Sequence, residues 1–242
     1  MVGICVRFGA PTAGTSCSLA QKACCGPART DRRPQPLTQS KNLQYPYSFT
    51  ADGKRLAFNE LNSVSGTYSI WTVPLEGDAG LRAGNPEVFL QTGRDEREPS
   101  FSPDGRWLAY ASNESGTYEV YVRAFPDTEG KRPISTGGGV HPQWSPTQHE
   151  LFFRTWDNQI MVAGYTVNGH SFQPAKPRLW SEKRVASIGP FGSRNYDVAP
   201  SGKRIAALIP AEGPEVQKAQ NQVILLLNFF DYLRQRVPVG GK

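Results

Sequence analysis

Few residues in this sequence have the types and spacing that catalysis requires. The three histidines, His141, His149 and His170, fall in predicted turns or loops, and none has the i, i+4 spacing of a helical metal-binding pair. The sequence contains no G-x-S-x-G nucleophile elbow, no His-Arg-Asp, no Asp-Phe-Gly and no glycine-rich phosphate loop with its strand lysine. We therefore expect solvated histidines, no catalytic residue and neither kinase nor serine-hydrolase chemistry in this chain.

Acidic and glycine-rich segments also have simpler explanations than a ligand site. Asp52 and Asp104 lie in predicted turns, where a short carboxylate caps nearby backbone N–H groups. A calcium loop needs several Asp or Asn residues at alternate positions, and the pair Asp157-Asn158 is too short. The glycine-rich loop at 135–139 could nest an anion through its backbone N–H groups, or it could be a flexible crossover. We predict no metal and no cofactor.

The cysteines are confined to the start of the chain. Their spacing does not match a zinc site, and no cysteine occurs later that would support a disulfide framework. Arg7, Gly9 and Pro11 interrupt any apolar core of a signal peptide. We predict that residues 1–29 form an unstructured leader. The four cysteines are Cys5, Cys17, Cys24 and Cys25.

Composition excludes two further classes of protein. The 242 residues include 24 Gly and 20 Pro, so few stretches could form a long helix, and a helical bundle is excluded. The longest apolar run is Val223–Leu227, far short of the ~18 residues of a membrane-spanning helix. Of the net charge of +6, +4 lies in residues 1–40, so the body of the chain lacks the basic surface of a nucleic-acid-binding protein.

The body of the chain is a fourfold repeat. Segments 48–58, 100–110, 143–153 and 197–207 share a pattern of apolar residue, turn and apolar segment. The aligned apolar positions are 52, 43 and 54 residues apart, a period typical of stacked supersecondary units. Those aligned residues are Phe49, Phe101, Trp144 and Val198.

Turn chemistry identifies the unit. Ser102-Pro103-Asp104-Gly105 suits a type I turn, with Pro presetting φ and Gly accepting a positive φ, and apolar segments lie on both sides. The unit therefore begins as strand, tight turn, strand. The turn residues that we single out as the structural motif are Asp52, Gly53, Pro103, Asp104, Gly105, Pro146 and Gly202.

Two more strands complete each unit. A third strand follows each hairpin, and a fourth candidate, usually containing Pro, precedes each motif and belongs on a sheet edge. The sequence therefore predicts an all-β chain of about four four-stranded antiparallel blades of a β-propeller, with a sandwich or barrel as the alternative. A short C-terminal helix is predicted at 228–238. The third-strand candidates are 68–73, 118–122, 159–162 and 222–226, and the edge candidates are 35–38, 87–91, 132–136 and 177–180.

The stretch Phe-Ser-Pro-Asp-Gly-Arg-Trp-Leu-Ala-Tyr at 101–110 resembles the WD40-like β-propeller repeat of the TolB type, and the resemblance extends over about residues 30–238. Residues 97–139 are similar to the C-terminal propeller of bacterial, membrane-anchored serine/threonine kinases of eukaryotic type. The resemblance implies a propeller segment at 30–242. Its repeat units are centred on 49–73, 101–122, 144–162 and 198–227. Because TolB-type rings usually have six or more blades, we expect a C-terminal piece of a larger ring, with a closed four-bladed ring as the alternative.

The resemblance also implies a function. We expect a non-catalytic binding or scaffold module, the sensor or protein-interaction part of a kinase-type protein. The alternatives are a TolB-type periplasmic envelope scaffold and an accessory propeller of a hydrolase whose catalytic domain is absent. Partners are expected to be proteins or peptides, without nucleic acid or membrane insertion, and open blade edges could allow self-association. The relatives imply a periplasmic location, whereas this chain made alone would be cytoplasmic.

Overall fold

The computed structural model describes residues 5–6, 35–76, 82–126, 130–187 and 194–210. The chain divides into a first unit, Met1–Ile209, and a second, Pro210–Lys242, and every strand below belongs to the first. The chain begins with a short antiparallel pairing between β1 (Cys5–Val6) and β2 (Gln35–Pro36). β1 lies within the predicted leader, whose other residues are outside the described ranges, so the boundary at residue 30 stays a prediction.

Three antiparallel sheets and part of a fourth follow in chain order, and we call them blades 1 to 4. Blade 1 contains β3 (Gln44–Phe49), β4 (Arg55–Leu61), β5 (Tyr68–Glu76), β6 (Arg82–Ala83) and β7 (Glu87–Leu90). Blade 2 contains β8 (Glu96–Phe101), β9 (Trp107–Ser112), β10 (Glu119–Ala124) and β11 (Arg132–Pro133). Blade 3 contains β12 (Val140–Trp144), β13 (Glu150–Arg154), β14 (Ile160–Asn168), β15 (Ser171–Pro174) and β16 (Arg178–Leu179). Blade 4 contains β17 (Tyr196–Val198) and β18 (Ile205–Ala207).

This topology confirms the predicted all-β propeller blades. In blades 1 to 3 the strand before the Pro-Asp-Gly position is innermost, and the fourth strand, β7, β11 or β16, pairs with the third at the outer edge. Consecutive blades pack face to face, inner strand against the preceding blade. Within the described ranges every regular element is a strand. The predicted strand at 222–226 and the predicted helix at 228–238 lie outside these ranges.

Apolar side chains fill the space between blades. Trp107 of blade 2 and Trp144 of blade 3 are buried in one cluster. Phe172 joins them, its ring centroid 5.1 Å from that of Trp107. The core therefore lies between successive sheets, and each blade depends on its neighbour for burial of its apolar face.

The hairpin that carries Phe172 is absent from the sequence prediction. β14 continues beyond the predicted third strand, turns at Gly169-His170 and pairs back along β15, with Asn168 opposite Ser171. The signal was present, because Gly at the first position of a two-residue turn, between alternating apolar and polar residues, is typical of a tight hairpin. This hairpin places Phe172 against blade 2, so blade 3 extends over the blade that precedes it.

The turn of blade 4 contacts the turn of blade 3 too closely for any side chain at Gly202. Gly202 has φ +69°, and a Cβ there would lie 2.4 Å from Ser145 Oγ and 2.5 Å from Thr147 Oγ1. Gly53, the equivalent residue of blade 1, has φ +68° but open space around the Cβ position. A comparison of substitutions at the two glycines therefore separates the effect of backbone strain from that of a steric clash.

Gly202→Ala should reduce the free energy of unfolding by about 2–3 kcal/mol, against about 1 kcal/mol for Gly53→Ala, because only the first adds a clash to the left-handed backbone penalty. Urea denaturation of both variants measures the difference. Equal losses would show that the turns of blades 3 and 4 do not meet as described.

Candidate functional site

The carboxylates of the predicted turn motif are used within their own turns. Asp104 Oδ1 accepts hydrogen bonds from Ser102 Oγ at 2.5 Å and from the Arg106 N–H at 3.1 Å. Asp52 makes the same pair of contacts with Thr50 and Lys54, and the Thr50 hydroxyl holds the pKa of Asp52 below its ordinary value. These contacts close each turn, as the sequence predicts for a short carboxylate at this position.

The structure brings four of the motif residues to one place. The turns of blades 1 and 2 border a cleft of about 480 Å³, whose lining includes Asp52, Pro103, Asp104 and Gly105. Arg55 also lines it, and its guanidinium bonds to Thr72 and Glu87. Pro146 and Gly202 lie elsewhere, in the turns of blades 3 and 4, and Gly53 is not among the residues that line the cleft. Three of the charged groups that border the cleft, Asp52, Asp104 and Arg55, thus have partners in the fold, and Lys54 borders it as well.

The glycine-rich loop does form a nest for an anion, and the anion is a side chain of this protein. Glu119 Oε1 accepts the N–H groups of Gly137 and Gly138 at 2.7 and 2.8 Å. Its other oxygen accepts the Ser135 hydroxyl at 2.5 Å. Because the carboxylate fills the nest, the loop is a fixed connection between blades 2 and 3 and cannot cradle an external phosphate in this arrangement.

A continuous chain of buried hydrogen bonds crosses all four blades. We call it the inner-strand chain because Glu98, His141 and Tyr196 lie in the first strands of their blades, while its fourth member, Asn59, lies in β4. Asn59 Oδ1 of blade 1 accepts the Glu98 N–H of blade 2 at 2.8 Å. Glu98 Oε2 accepts the His141 N–H of blade 3 at 2.6 Å, and Glu98 Oε1 lies 2.8 Å from His141 Nδ1. Tyr196 of blade 4 donates its hydroxyl to the His141 carbonyl at 2.5 Å. Each blade is thereby bonded to the next through a side chain.

The expectation of a solvated loop position was wrong for His141. His141 lies in β12 and is only 5% exposed, because its imidazole faces the Glu98 carboxylate. A signal was available in the repeat itself, since Glu98 and His141 both stand three residues before the aligned aromatic residue and are both followed by proline. The local turn context of His141 did not indicate burial, whereas its equivalence to Glu98 in the repeat did indicate a related position.

The backbone at this pair is unusual. Glu98 has φ 58° and His141 has φ 56°, a left-handed conformation that costs a residue with a side chain on the order of 1 kcal/mol or more. Both residues sit where the inner strand breaks register with its neighbour, between Arg97 and Ser100 in blade 2 and between Val140 and Gln143 in blade 3. Such bulges re-aim side chains. Here they turn the carboxylate and the imidazole toward each other across the blade boundary.

Other ionisable groups near the inner-strand chain respond to burial. Burial raises the pKa of the Tyr196 hydroxyl, and the Glu98 charge adds to this effect. Burial also raises the pKa of the Tyr47 hydroxyl, with the same contribution from Glu98. Burial lowers the pKa of Arg154, while Glu98 and Tyr196 act against that shift. The charge of Glu98 therefore contributes to the pKa of three neighbouring groups.

Glu96 is a buried carboxyl with a different environment. It is 1% exposed, Thr92 Oγ1 donates to its Oε1, and its Oε2 is buried with no hydrogen-bond partner among the described residues. Burial raises the pKa of Glu96 from 4.5 to about 7. A neutral carboxyl suits this site better than a carboxylate, since no cation offsets the loss of hydration.

On the face opposite the Pro-Asp-Gly turns, five side chains form a contiguous surface that we call the aromatic strip: Tyr45, Tyr68, Arg97, Tyr118 and Trp156. The Tyr45 and Tyr68 rings meet edge to face at 5.8 Å, and the Arg97 guanidinium lies 4.2 Å from the Tyr68 ring centroid. The Tyr118 and Trp156 rings meet edge to face at 6.1 Å. The strip crosses blades 1 to 3 and leaves Trp156 41% exposed.

In the part of the chain that the structure describes, no group of three or more His, Cys, Asp or Glu residues could hold a metal ion. The same part contains no helix that is long and apolar enough to cross a membrane.

The repeated hairpins and their antiparallel sheets form part of a β-propeller whose repeats are TolB-like. No protein-family model matches the sequence. The sequence is 27% identical over 97 residues to the Tol-Pal system protein TolB of Desulfosudis oleivorans, covering 40% of this chain and 20% of that protein. It is 24% identical over 127 residues to the uncharacterized protein Atu1656 of Agrobacterium fabrum, covering 52% and 41%. The matches thus span less than half of the length of these relatives.

Solved structures of similar proteins include a putative TolB from Agrobacterium tumefaciens, with TM-score 0.45 and 20% identity over 60% of this chain and 53% of that one. A puromycin-hydrolyzing peptidase from Mycobacterium tuberculosis gives TM-score 0.49 and 22% identity, over 73% of this chain and 30% of that one.

Glu98→Ala should lower the free energy of unfolding by about 3 kcal/mol, because it leaves the buried His141 N–H and imidazole without their partner. Glu114→Ala is the matched control: its ion pair with Lys131 is partly exposed, and its removal should cost less than about 1 kcal/mol. Denaturant titration at neutral pH measures both. Similar small losses would contradict a structural role for the Glu98–His141 pair.

Glu96→Gln should stabilise the protein above neutral pH. A carboxyl whose folded pKa is raised from 4.5 to about 7 gives stability that is fully present below pH 4.5 and lost as pH rises through 7. The neutral amide removes this loss, so the variant should gain about 1–3 kcal/mol at pH 8 and nothing at pH 4. Unfolding curves at both pH values measure the gain. The exposed Glu182→Gln serves as control, and a gain independent of pH would refute the assignment.

Proposed function

We propose that this chain is a non-catalytic binding or scaffold module whose partners are proteins or peptides. The observation that carries the proposal is the internal engagement of its acid–base groups. The strongest candidate pair for catalysis, Glu98 and His141, is buried and bonded across a blade boundary. Glu119 fills the loop nest, and Asp52 and Asp104 close their own turns.

The aromatic strip supports a binding role. Tyr, Trp and Arg are the residue types that dominate binding energy at protein interfaces. Here they are held by neighbours within the fold: Tyr68 donates its N–H to Asp95 at 2.7 Å, and Arg97 Nε donates to the same carboxylate at 2.8 Å. A surface ordered before binding loses little conformational entropy when a partner docks.

The proposal also includes the kind of protein to which this propeller segment belongs. The resemblance of residues 97–139 to kinase-associated propellers supports a sensor or interaction segment of a kinase-type protein. The sequence match to TolB supports the alternative of an envelope scaffold, in which outer sheet edges such as β7 could mediate self-association. The likeness to a peptidase keeps an accessory propeller of a hydrolase as a third arrangement.

Two assays on the purified full chain test the proposal. We expect selection from a random peptide library to yield binders, and no turnover of ester, amide or peptide substrates. Turnover that is abolished by His141→Ala but kept by the exposed control His149→Ala would overturn the non-catalytic assignment. Failure to select any binder would remove the binding role.

A further inference from the structure

We propose, on the basis of the binding function above, that the aromatic strip docks a proline-rich segment in the polyproline II conformation. The strip presents ring surfaces from two pairs of aromatic side chains, Tyr45 with Tyr68 and Tyr118 with Trp156. Proline-rich segments bind surfaces of this kind, because their rings pack against aromatic side chains and their backbone is already extended before binding.

The charges of the strip favour a neutral ligand. Arg97 Nε donates to Asp95 Oδ2 at 2.8 Å, and these two groups are the formal charges that lie between the aromatic pairs. Both are partly buried, with side chains 21% and 9% exposed. Because the two charges offset each other, this ion pair gives the strip no net charge that would favour a phosphorylated, acidic or basic segment.

The polar atoms of the strip are also engaged within the fold. Asp95 Oδ1 accepts the Tyr68 N–H, and Asp95 Oδ2 accepts both Arg97 Nε and the Tyr118 hydroxyl. Trp156 Nε1 donates to Thr117 Oγ1 at 3.3 Å. A carbohydrate needs directed hydrogen bonds to its hydroxyl groups as well as stacking, whereas a polyproline II helix has no backbone donors at its prolines and keeps its carbonyls hydrated. The strip therefore fits proline rings better than sugars.

The Trp156 side chain is held in place by Gly138 and Tyr118. A Cβ at Gly138 would lie 2.3 Å from Trp156 Cδ1, so the indole rests directly on a residue without a side chain. Tyr118 supports the indole from the side. An exposed aromatic ring that is fixed before binding is a typical hot spot, since its burial gains free energy without an ordering cost.

The test titrates the full chain with an acetylated, amidated oligoproline of about eight residues, long enough for more than two turns of the helix. A glycine–serine peptide of equal length and cellohexaose serve as comparison ligands. We expect saturable binding of the oligoproline alone, and Trp156→Ala should weaken it about tenfold or more. The control Leu179→Ala, an exposed apolar residue on the outer strand β16, should leave binding unchanged.

A measurement on the wild-type chain tests the inference even if the Trp156→Ala variant fails to fold. The indole N–H resonance of Trp156 should shift on addition of oligoproline, while those of the buried Trp107 and Trp144 should not. Binding of oligoproline without a shift at Trp156, or preferential binding of cellohexaose, would overturn the inference. If library peptides without proline bind the strip and oligoproline does not, the inference fails while the proposed binding function stands.

Discussion

This propeller buries a row of polar groups that are joined by hydrogen bonds from each blade to the next. Asn59, Glu98, His141 and Tyr196 lie in four successive blades, and the hydrogen bonds between them cross each blade boundary in turn. An unpaired buried carboxylate or amide would be costly, so the angle and spacing of neighbouring blades are tied to this chain of bonds. The apolar clusters between blades contribute most of the buried area, but they do not by themselves fix one arrangement.

The need to pair buried polar groups also bears on which side chains are available for catalysis. A carboxylate and an imidazole at 2.8 Å form a pair that could act as a base and its orienting group in an enzyme. In this fold the carboxylate also accepts the backbone N–H of the histidine, and both residues adopt left-handed backbone conformations to reach each other. The pair is thus part of the join between blades 2 and 3. The surface that we propose for recognition is the aromatic strip, on the face away from the turns.

Sequence reasoning predicted the repeat, the tight turns and the placement of the proline-containing strands at sheet edges, because each depends on local residue order. It missed the hairpin of β14 and β15, although Gly169 between alternating apolar and polar residues indicated a turn, because the third strand was expected to have an ordinary length. It could not predict the Glu98–His141 pair from local context, since the partners are 43 residues apart. Nor could it find the aromatic strip, whose members come from three blades and meet only when the sheets pack side by side.

Residue-resolved amide hydrogen exchange tests the central role of the inner-strand chain most directly. The N–H groups of Glu98 and His141 donate to side chains of Asn59 and Glu98 rather than to strand carbonyls. The Lys54 N–H also donates to a carboxylate, but in an exposed turn. If the inner bonds hold the blades together, the Glu98 and His141 amides will exchange as slowly as the ladder amides of β9. Exchange as fast as that of Lys54 would contradict the account.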